Sequence, residues 1–453
     1  MILSTIEKII QMLIEAFERL EADVPLRAIE ELSVMIHRSM TPQTRSYHTL
    51  EHVFHLAETP DPIRCLAALF HDLVYYQIDR GFPAPMQQML APYFLEGNGA
   101  RLAQIASTDR AARLTCDVFG YVAGQTLSPF TGLNEFASAL CMNLALQDIL
   151  PETQRIGIAA CIEATIPFRG PNARGQSCID ALEERLRRVN DEYHLNIAPP
   201  QIEQIMAAAT AFLNHDVDSF AEPDPGIFLD GSWKLLLESN APLQTIDVYS
   251  IREYRQALQK MAGFLCRLNP DLIFHQYHHE PTDEEFERLV GLARRNVAIG
   301  CKYLGIKLLA MAVLEALAEL TGGDAPLSLF MGDLKREGES VKRLENFLPL
   351  DEPVRPAAFD SKAVLNLLEI GRASESSFDM RNSPTAFFLY THIDDIRISG
   401  FVASAHEMFA GRLSPAAFLR GIGDSVVAPI ARACAEMVFT RRAALLRYAD
   451  GTP

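Results

Sequence analysis

Between positions 45 and 76 the chain reads RSYHTLEHVFHLAETPDPIRCLAALFHDLVYY, which holds four of its twelve histidines, His48, His52, His55 and His71, and follows the last with Asp72. On a helix His48 and His52 stand one turn apart on one face, with His55 three positions further on. Imidazoles at that spacing can share a divalent metal ion, because ring nitrogens bind many such ions. His71 and Asp72 diverge by about 100° if helical, yet an ion on their bisector is reachable by both. The carboxylate supplies negative charge to a hard cation. The preceding run CLAALF is apolar throughout, so the helix is expected to be buried and its polar pair needs a partner. The alternative is an internally satisfied His–Asp pair with unrelated surface histidines.

Two later stretches extend the pattern: NEFASA at 134–139, with Asn134, Glu135, Ser138 and Ala139, and CIEATIPF at 161–168. With Arg45, Tyr47, His48, His52, Phe70, His71, Asp72, Val74 and Tyr75, they resemble the HD-domain superfamily of metal-dependent phosphohydrolases. The likeness is to the branch reading R-x-Y-H-N-x-x-H, then F-H-D-x-V-Y, then N-E-x-x-S-A, with Thr49 in place of the asparagine. It covers roughly residues 30–240 and implies an HD-type helical bundle. It also implies a metal site of His52, His71, Asp72 and a distant aspartate. Asp216 in AFLNHDVDSF is the leading candidate for that last ligand, Asp218 the neighbouring alternative and Asp148 a poorer one. The gap between His-Asp and NEFASA is longer than in the family, which implies inserted helices.

His48 then either orients a ligand or binds a second ion. Glu135 either hydrogen-bonds a metal-held water or is an ordinary acidic residue near a helix start. Glu163 reads as a solvated or capping residue. Arg45 and Arg169 are candidates to contact a substrate phosphate, since a guanidinium grips two oxygens at once; otherwise they are solvated. The expected reaction is hydrolysis of a small phosphate ester, such as a nucleotide, with Asp72 as ligand and proton acceptor. The ion is divalent: Mn, Mg, Fe, Co or Zn. Two other readings stand beside it: a di-iron oxygenase, and a non-catalytic helical sensing or scaffold module.

Elements must position these residues, and the periodicity of the chain is helical throughout. Helices are expected over 6–20, 26–40, 50–58, 61–77, 85–95, 98–107, 110–123, 134–147, 151–166, 177–192, 200–214, 250–268, 282–321, 326–347 and 361–371. The fold class is all-α. A length of 453 residues suggests two domains. The proline- and glycine-bearing stretch 221–245 reads as an ordered loop, dividing an HD-like domain (1–240) from a helical C-terminal domain (246–453). That second domain matches no recognisable pattern and could be a lid, a partner-binding module or a homodimer surface. A second proline-rich break falls at 348–361.

The net charge of −17 and the lack of basic runs argue against a nucleic-acid partner. The eight cysteines form no C-x-x-C pair and read as reduced, buried residues of a cytoplasmic protein. Glu7, Lys8, Glu15 and Glu18 interrupt the N-terminal apolar run, unlike a signal peptide. The most apolar segment, 299–320, carries Lys302, Lys307, Glu315 and Glu319, so a buried helix is expected there and no membrane partner. FHQYHHE (274–280) reads as a surface turn before a helix start, and THIDDIR (391–397) completes no site.

Overall fold

Local signals start most of the helices. The hydroxyl of Ser4 accepts from the Glu7 amide while the Glu7 carboxylate accepts from Ser4, and this reciprocal box opens α1 (Thr5–Arg19). Ile9, Leu13 and Phe17 line its buried face, which packs on α2 (Leu26–Met40). Next comes α3 (Leu50–Ala57). The Asp61 carboxylate then caps the amides of Ile63 and Arg64, and Pro62 occupies the first turn of α4 (Pro62–Phe70). Cys65 through Phe70 are all buried in α4.

The computed structural model describes residues 3–42, 44–95, 100–245, 248–332, 342–349 and 359–451. With 68% of the protein helical and 3% in strands, the fold is all-α, as the periodicity predicts. Contacts divide the chain into two compact units. The first comprises Met1–Ala221 and Asn269–Gly291, the second Glu222–Leu268 and Leu292–Pro453. The division thus falls at 221/222 rather than in 240–246, and the chain returns to the first unit over 269–291.

The first unit continues with α5 (Tyr76–Asp79), α6 (Ala84–Leu90), α7 (Arg110–Phe119), α8 (Leu133–Leu146), α9 (Glu152–Ala164), α10 (Cys178–Tyr193) and α11 (Pro199–Asp216). Helix α9 is central, packing on α4, α7, α8 and α11, and every residue from Arg155 to Ala164 is buried. A Cβ on Gly157 would meet the Ile63 side chain at 3.3 Å, so glycine permits the close approach of α9 to α4. Three short antiparallel strands, β1 (Phe94–Leu95), β2 (Ala100–Leu102) and β3 (Thr126–Leu127), join in that order.

Several expected boundaries move. The 61–77 helix ends at Phe70, with His71 as its cap, and resumes only at Tyr76. The 85–95 helix stops at Leu90 before a single 3-10 turn. Where 98–107 reads as helix, residues 100–102 form β2; they alternate buried and exposed, which suits a strand; residues 98 and 99 lie outside the described residues. The 221–245 stretch is not a loop, because α12 (Pro225–Glu238) begins there on an Asp224 cap with Pro225 in its first turn.

In the second unit α12 is followed by α13 (Ile251–Leu265), the long α14 (Asp283–Thr321, its first residues in the first unit), α15 (Leu327–Met331), α16 (Phe359–Glu369), α17 (Pro384–His392), α18 (Asp395–Phe409), α19 (Pro415–Ile422), α20 (Asp424–Met437) and α21 (Arg442–Ala449). Of the helix expected over 326–347, Leu327–Met331 is α-helical and Leu344–Phe347 a 3-10 turn, while 333–341 lies outside the described residues. The proline-rich break also falls mostly outside them. Helix α14 is long and apolar enough to cross a membrane by composition alone, but 78% of its most apolar window is buried inside the protein. A buried charge cluster lies beside it: Asp379 accepts from Lys307 at 2.9 Å and from the Trp233 indole at 2.7 Å. The cysteine reading needs one correction. Cys266 and Cys301 form a disulfide, with Cα atoms 5.5 Å apart, while the other six are free and buried.

Candidate metal centre

Four side chains converge at the end of α4. His52 comes from α3, His71 is the α4 cap, Asp72 follows it, and Asp216 ends α11. Their facing atoms form a closed ring. His52 Nε2 lies 3.1 Å from Asp216 Oδ1, which lies 3.8 Å from His71 Nε2. His71 Nε2 lies 3.2 Å from Asp72 Oδ2, which lies 4.0 Å from His52 Nε2. Ligands on one ion at bonds of about 2.0–2.2 Å sit about 3.0–3.4 Å apart, so small adjustments would close this ring around a cation. His52, His71 and Asp72 are within 4.8 Å of one another and could hold a metal ion.

The second test of fit is satisfaction. His71 Nε2 and Asp72 Oδ2 are buried and face each other at 3.2 Å, and neither has a well-aligned hydrogen bond among the described residues. A buried polar atom without a partner is costly. A cation between them would engage both. The opposite nitrogen of His71, Nδ1, meets the Ala68 carbonyl at 2.9 Å, which turns Nε2 into the site, as an outer hydrogen bond commonly does for a ligating histidine. Burial alone would raise the Asp72 pKa, but His71, His48 and His52 together hold it well below the ordinary carboxylate range. For His71 burial opposes the charge, and Asp72 and Asp216 more than offset it, bringing its pKa up to about 9.

The backbone after Asp72 is fastened from two sides. Arg45 donates to the Asp72 carbonyl at 2.7 Å and pairs with Asp79 at 2.6 Å, both side chains almost fully buried. Ser138 accepts from the Val74 amide at 3.0 Å, and Asn134 from the Tyr76 amide at 3.0 Å. Asn134 and Ser138 stand one turn apart on α8, so the NEFASA motif works largely as a staple for the turn that carries Asp72. Sequence reasoning assigned these two residues no role. Their spacing on an otherwise apolar helix was the available signal.

The remaining candidates separate clearly. Glu135, beside the staple, is partly exposed, but its Oε2 is buried and has no hydrogen-bond partner among the described residues; burial, with Asp72 and Asp216, pushes its pKa up to about 7. His48 packs its ring on Tyr75, centroids 4.1 Å apart, and lies 6.3 Å from the His52 ring. Arg45 is not placed to take a phosphate, because Asp79 and backbone carbonyls already engage its guanidinium. Arg169 is likewise held, 3.1 Å from Glu163 Oε2 and 3.1 Å from the Ile166 carbonyl. Glu163 is neither solvated nor a cap; it is 1% exposed and pairs with both Arg169 and Arg185. Asp148 is exposed just beyond α8. Asp218 pairs instead with His55, at 3.1 Å. In FHQYHHE, Tyr277 and Glu280 exchange two backbone hydrogen bonds of 2.9 Å around His278 and His279, a tight turn. The His392 ring lies 2.8 Å from the Phe388 carbonyl one turn back on α17, and Asp394 caps α18.

Compared with known proteins, the chain matches no family model, no curated protein and no solved structure.

Two predictions arise here. Gly132 precedes α8 at φ +95°, and a Cβ there would lie 2.6 Å from Ile166 Cδ1. Gly132→Ala is therefore expected to cost about 2 kcal/mol or more, read as a lower urea midpoint. The raised pKa of Glu135 means that its protonated form favours the folded state. Its contribution is full below its unfolded pKa near 4.5 and is lost as pH rises through about 7. In chelator-treated protein, Glu135→Gln is thus expected to raise stability relative to the parent at pH 8, by up to about 3 kcal/mol. Near pH 4 it should do so little. Equal effects at both pH values in urea unfolding would refute this.

Proposed function

We propose that the first unit is a metal-dependent phosphohydrolase that cleaves a small phosphate ester, such as a nucleotide, with a divalent ion held by His52, His71, Asp72 and Asp216. The observation that carries the reading is the ring of two imidazoles and two carboxylates, with buried, unbonded atoms on His71 and Asp72 facing into it. The motifs shared with the HD-domain superfamily support it. Such an ion, when bound, lowers the pKa of water toward neutrality and polarises a phosphoryl oxygen.

The chain's own residues do the rest. The staple from Asn134, Ser138 and Arg45 fixes Asp72 in place. The Ala68 carbonyl fixes the His71 ring. Burial of its carboxyl, with Asp72 and Asp216, pushes the Glu135 pKa up to about 7, which suits it to receive or return a proton during turnover. With Arg45 and Arg169 engaged elsewhere, charge on the phosphoryl group is offset mainly at the metal position.

The test is metal content of the purified full chain by plasma mass spectrometry, followed by hydrolysis of a panel of phosphate esters with Mn, Mg, Fe, Co or Zn. About one equivalent of metal that is lost from Asp72→Ala, together with turnover of one ester class, would support the reading. Two equivalents of iron and no hydrolysis would favour an oxygenase instead, and no binding of any of these ions would overturn it.

A further inference from the structure

We propose that His55, His215 and Asp218 form a second metal site, distinct from the centre described above, that takes a borderline transition-metal ion of the zinc class. Two of the three sit on the same elements as inner ligands. α3 carries His52 inward and His55 three residues later, and α11 carries Asp216 inward with His215 beside it. Asp218 opens the 3-10 turn that follows. Neighbouring helical side chains diverge by about 100°, so His215 leaves α11 on a different face from Asp216.

The geometry centres on one oxygen. Asp218 Oδ2 is 3.1 Å from His55 Nε2 and 3.8 Å from His215 Nε2. The two imidazole rings stand 4.8 Å apart. One ligand atom from each residue falls within 4.8 Å of the other two, in a group separate from His52, His71 and Asp72. Tetrahedral zinc, with bonds of about 2.0 Å, needs ligand atoms about 3.3 Å apart. Rotation of the half-exposed Asp218 side chain toward His215, followed by the exposed His55, supplies the adjustment.

An ordinary surface ion pair explains the cluster poorly. One carboxylate oxygen faces two imidazoles, and an exposed His–Asp pair alone contributes little. His215 faces Asp218 with Nε2, while Nδ1 is buried and has no hydrogen-bond partner among the described residues. The side chains are 57% (His55), 23% (His215) and 46% (Asp218) exposed, so an ion can enter and water can complete its shell. Two nitrogens and one oxygen favour zinc, nickel, cobalt or copper. Magnesium and calcium prefer oxygen cages.

The test uses the full chain with zinc alone, and Asp72→Ala to silence the inner centre. Equilibrium dialysis of Asp72→Ala against zinc is expected to retain about one equivalent, with magnesium failing to compete. Adding His55→Ala or His215→Ala should weaken this zinc at least about tenfold. His55 is exposed, so its replacement should leave helical circular dichroism unchanged; cobalt bound to Asp72→Ala should give a visible spectrum that His55→Ala removes. Zinc binding in Asp72→Ala that survives both histidine substitutions lies elsewhere, at the remaining inner ligands or adventitiously, and overturns the proposal. So does the absence of zinc binding in Asp72→Ala itself. Failure of the phosphohydrolase reading leaves these outcomes unaffected, because no arm depends on turnover.

Discussion

Asp72→Ala is expected to strip the inner centre of metal and to abolish phosphate-ester hydrolysis. Asp72 supplies one of the two carboxylates in the ring and lies 3.2 Å from His71 Nε2, nearer than Asp216 at 3.8 Å. Removing residues that merely orient ligands commonly costs 10- to 100-fold in metal affinity, so loss of a ligand should exceed about 100-fold. Two imidazoles and Asp216 would remain, with less negative charge to hold a divalent ion. The measurement pairs metal content with initial rates at saturating metal. Full metal retention with lost activity would make Asp72 a proton-transfer residue rather than a ligand. Retention of both would remove it from the site.

Arg45→Ala is expected to be the most destabilising substitution in the first unit. The guanidinium side chain is 0% exposed and that of its partner Asp79 is 4% exposed. Breaking such a pair from one side leaves a buried, uncompensated charge and costs about 3–5 kcal/mol. The same guanidinium holds the Asp72 and Leu73 carbonyls, at 2.7 and 3.4 Å. Metal affinity should therefore fall along with the melting temperature. Arg45→Lys should rescue little, because a single ammonium cannot reproduce a fork that reaches a carboxylate and two carbonyls. A phosphate-binding arginine would behave differently: the Michaelis constant would rise while the melting temperature stayed put. That pattern in Arg45→Ala would return the residue to the substrate.

These two residues also mark what the sequence could reveal. His52, His71 and Asp72 stand out in the sequence by their spacing on and beside strongly periodic helices, whereas Asp216 enters only through the resemblance, which asks for a distant aspartate without fixing which one. The helices themselves were legible from caps such as Ser4 with Glu7. Arg45 was misread because its partner, Asp79, lies 34 residues away on a four-residue helix. No local pattern links the two. Arg169 was misread for a similar reason, since its partner Glu163 sits on the central helix, whose burial on all sides gives little amphipathic signal. Helix α12 was missed although its opening residues, Asp224 and Pro225, are an ordinary cap and first turn; the glycines and prolines around them outweighed that cue. The Cys266–Cys301 bond joins the residue that caps α13 to one on α14, 35 apart in sequence, and only their packing brings them together.

The return of residues 269–291 to the first unit has a consequence for how the protein is made. Asn214, two residues before Asp216, exchanges hydrogen bonds of 2.9 and 2.7 Å with the backbone of His275. Tyr277 is buried in the core of the same unit. On the ribosome, the whole of 222–268 must therefore be synthesised before the end of α11 gains its last supports. The nascent first unit waits, with its Asp216 helix incompletely clamped, for a stretch of chain that arrives only after part of the second unit has emerged.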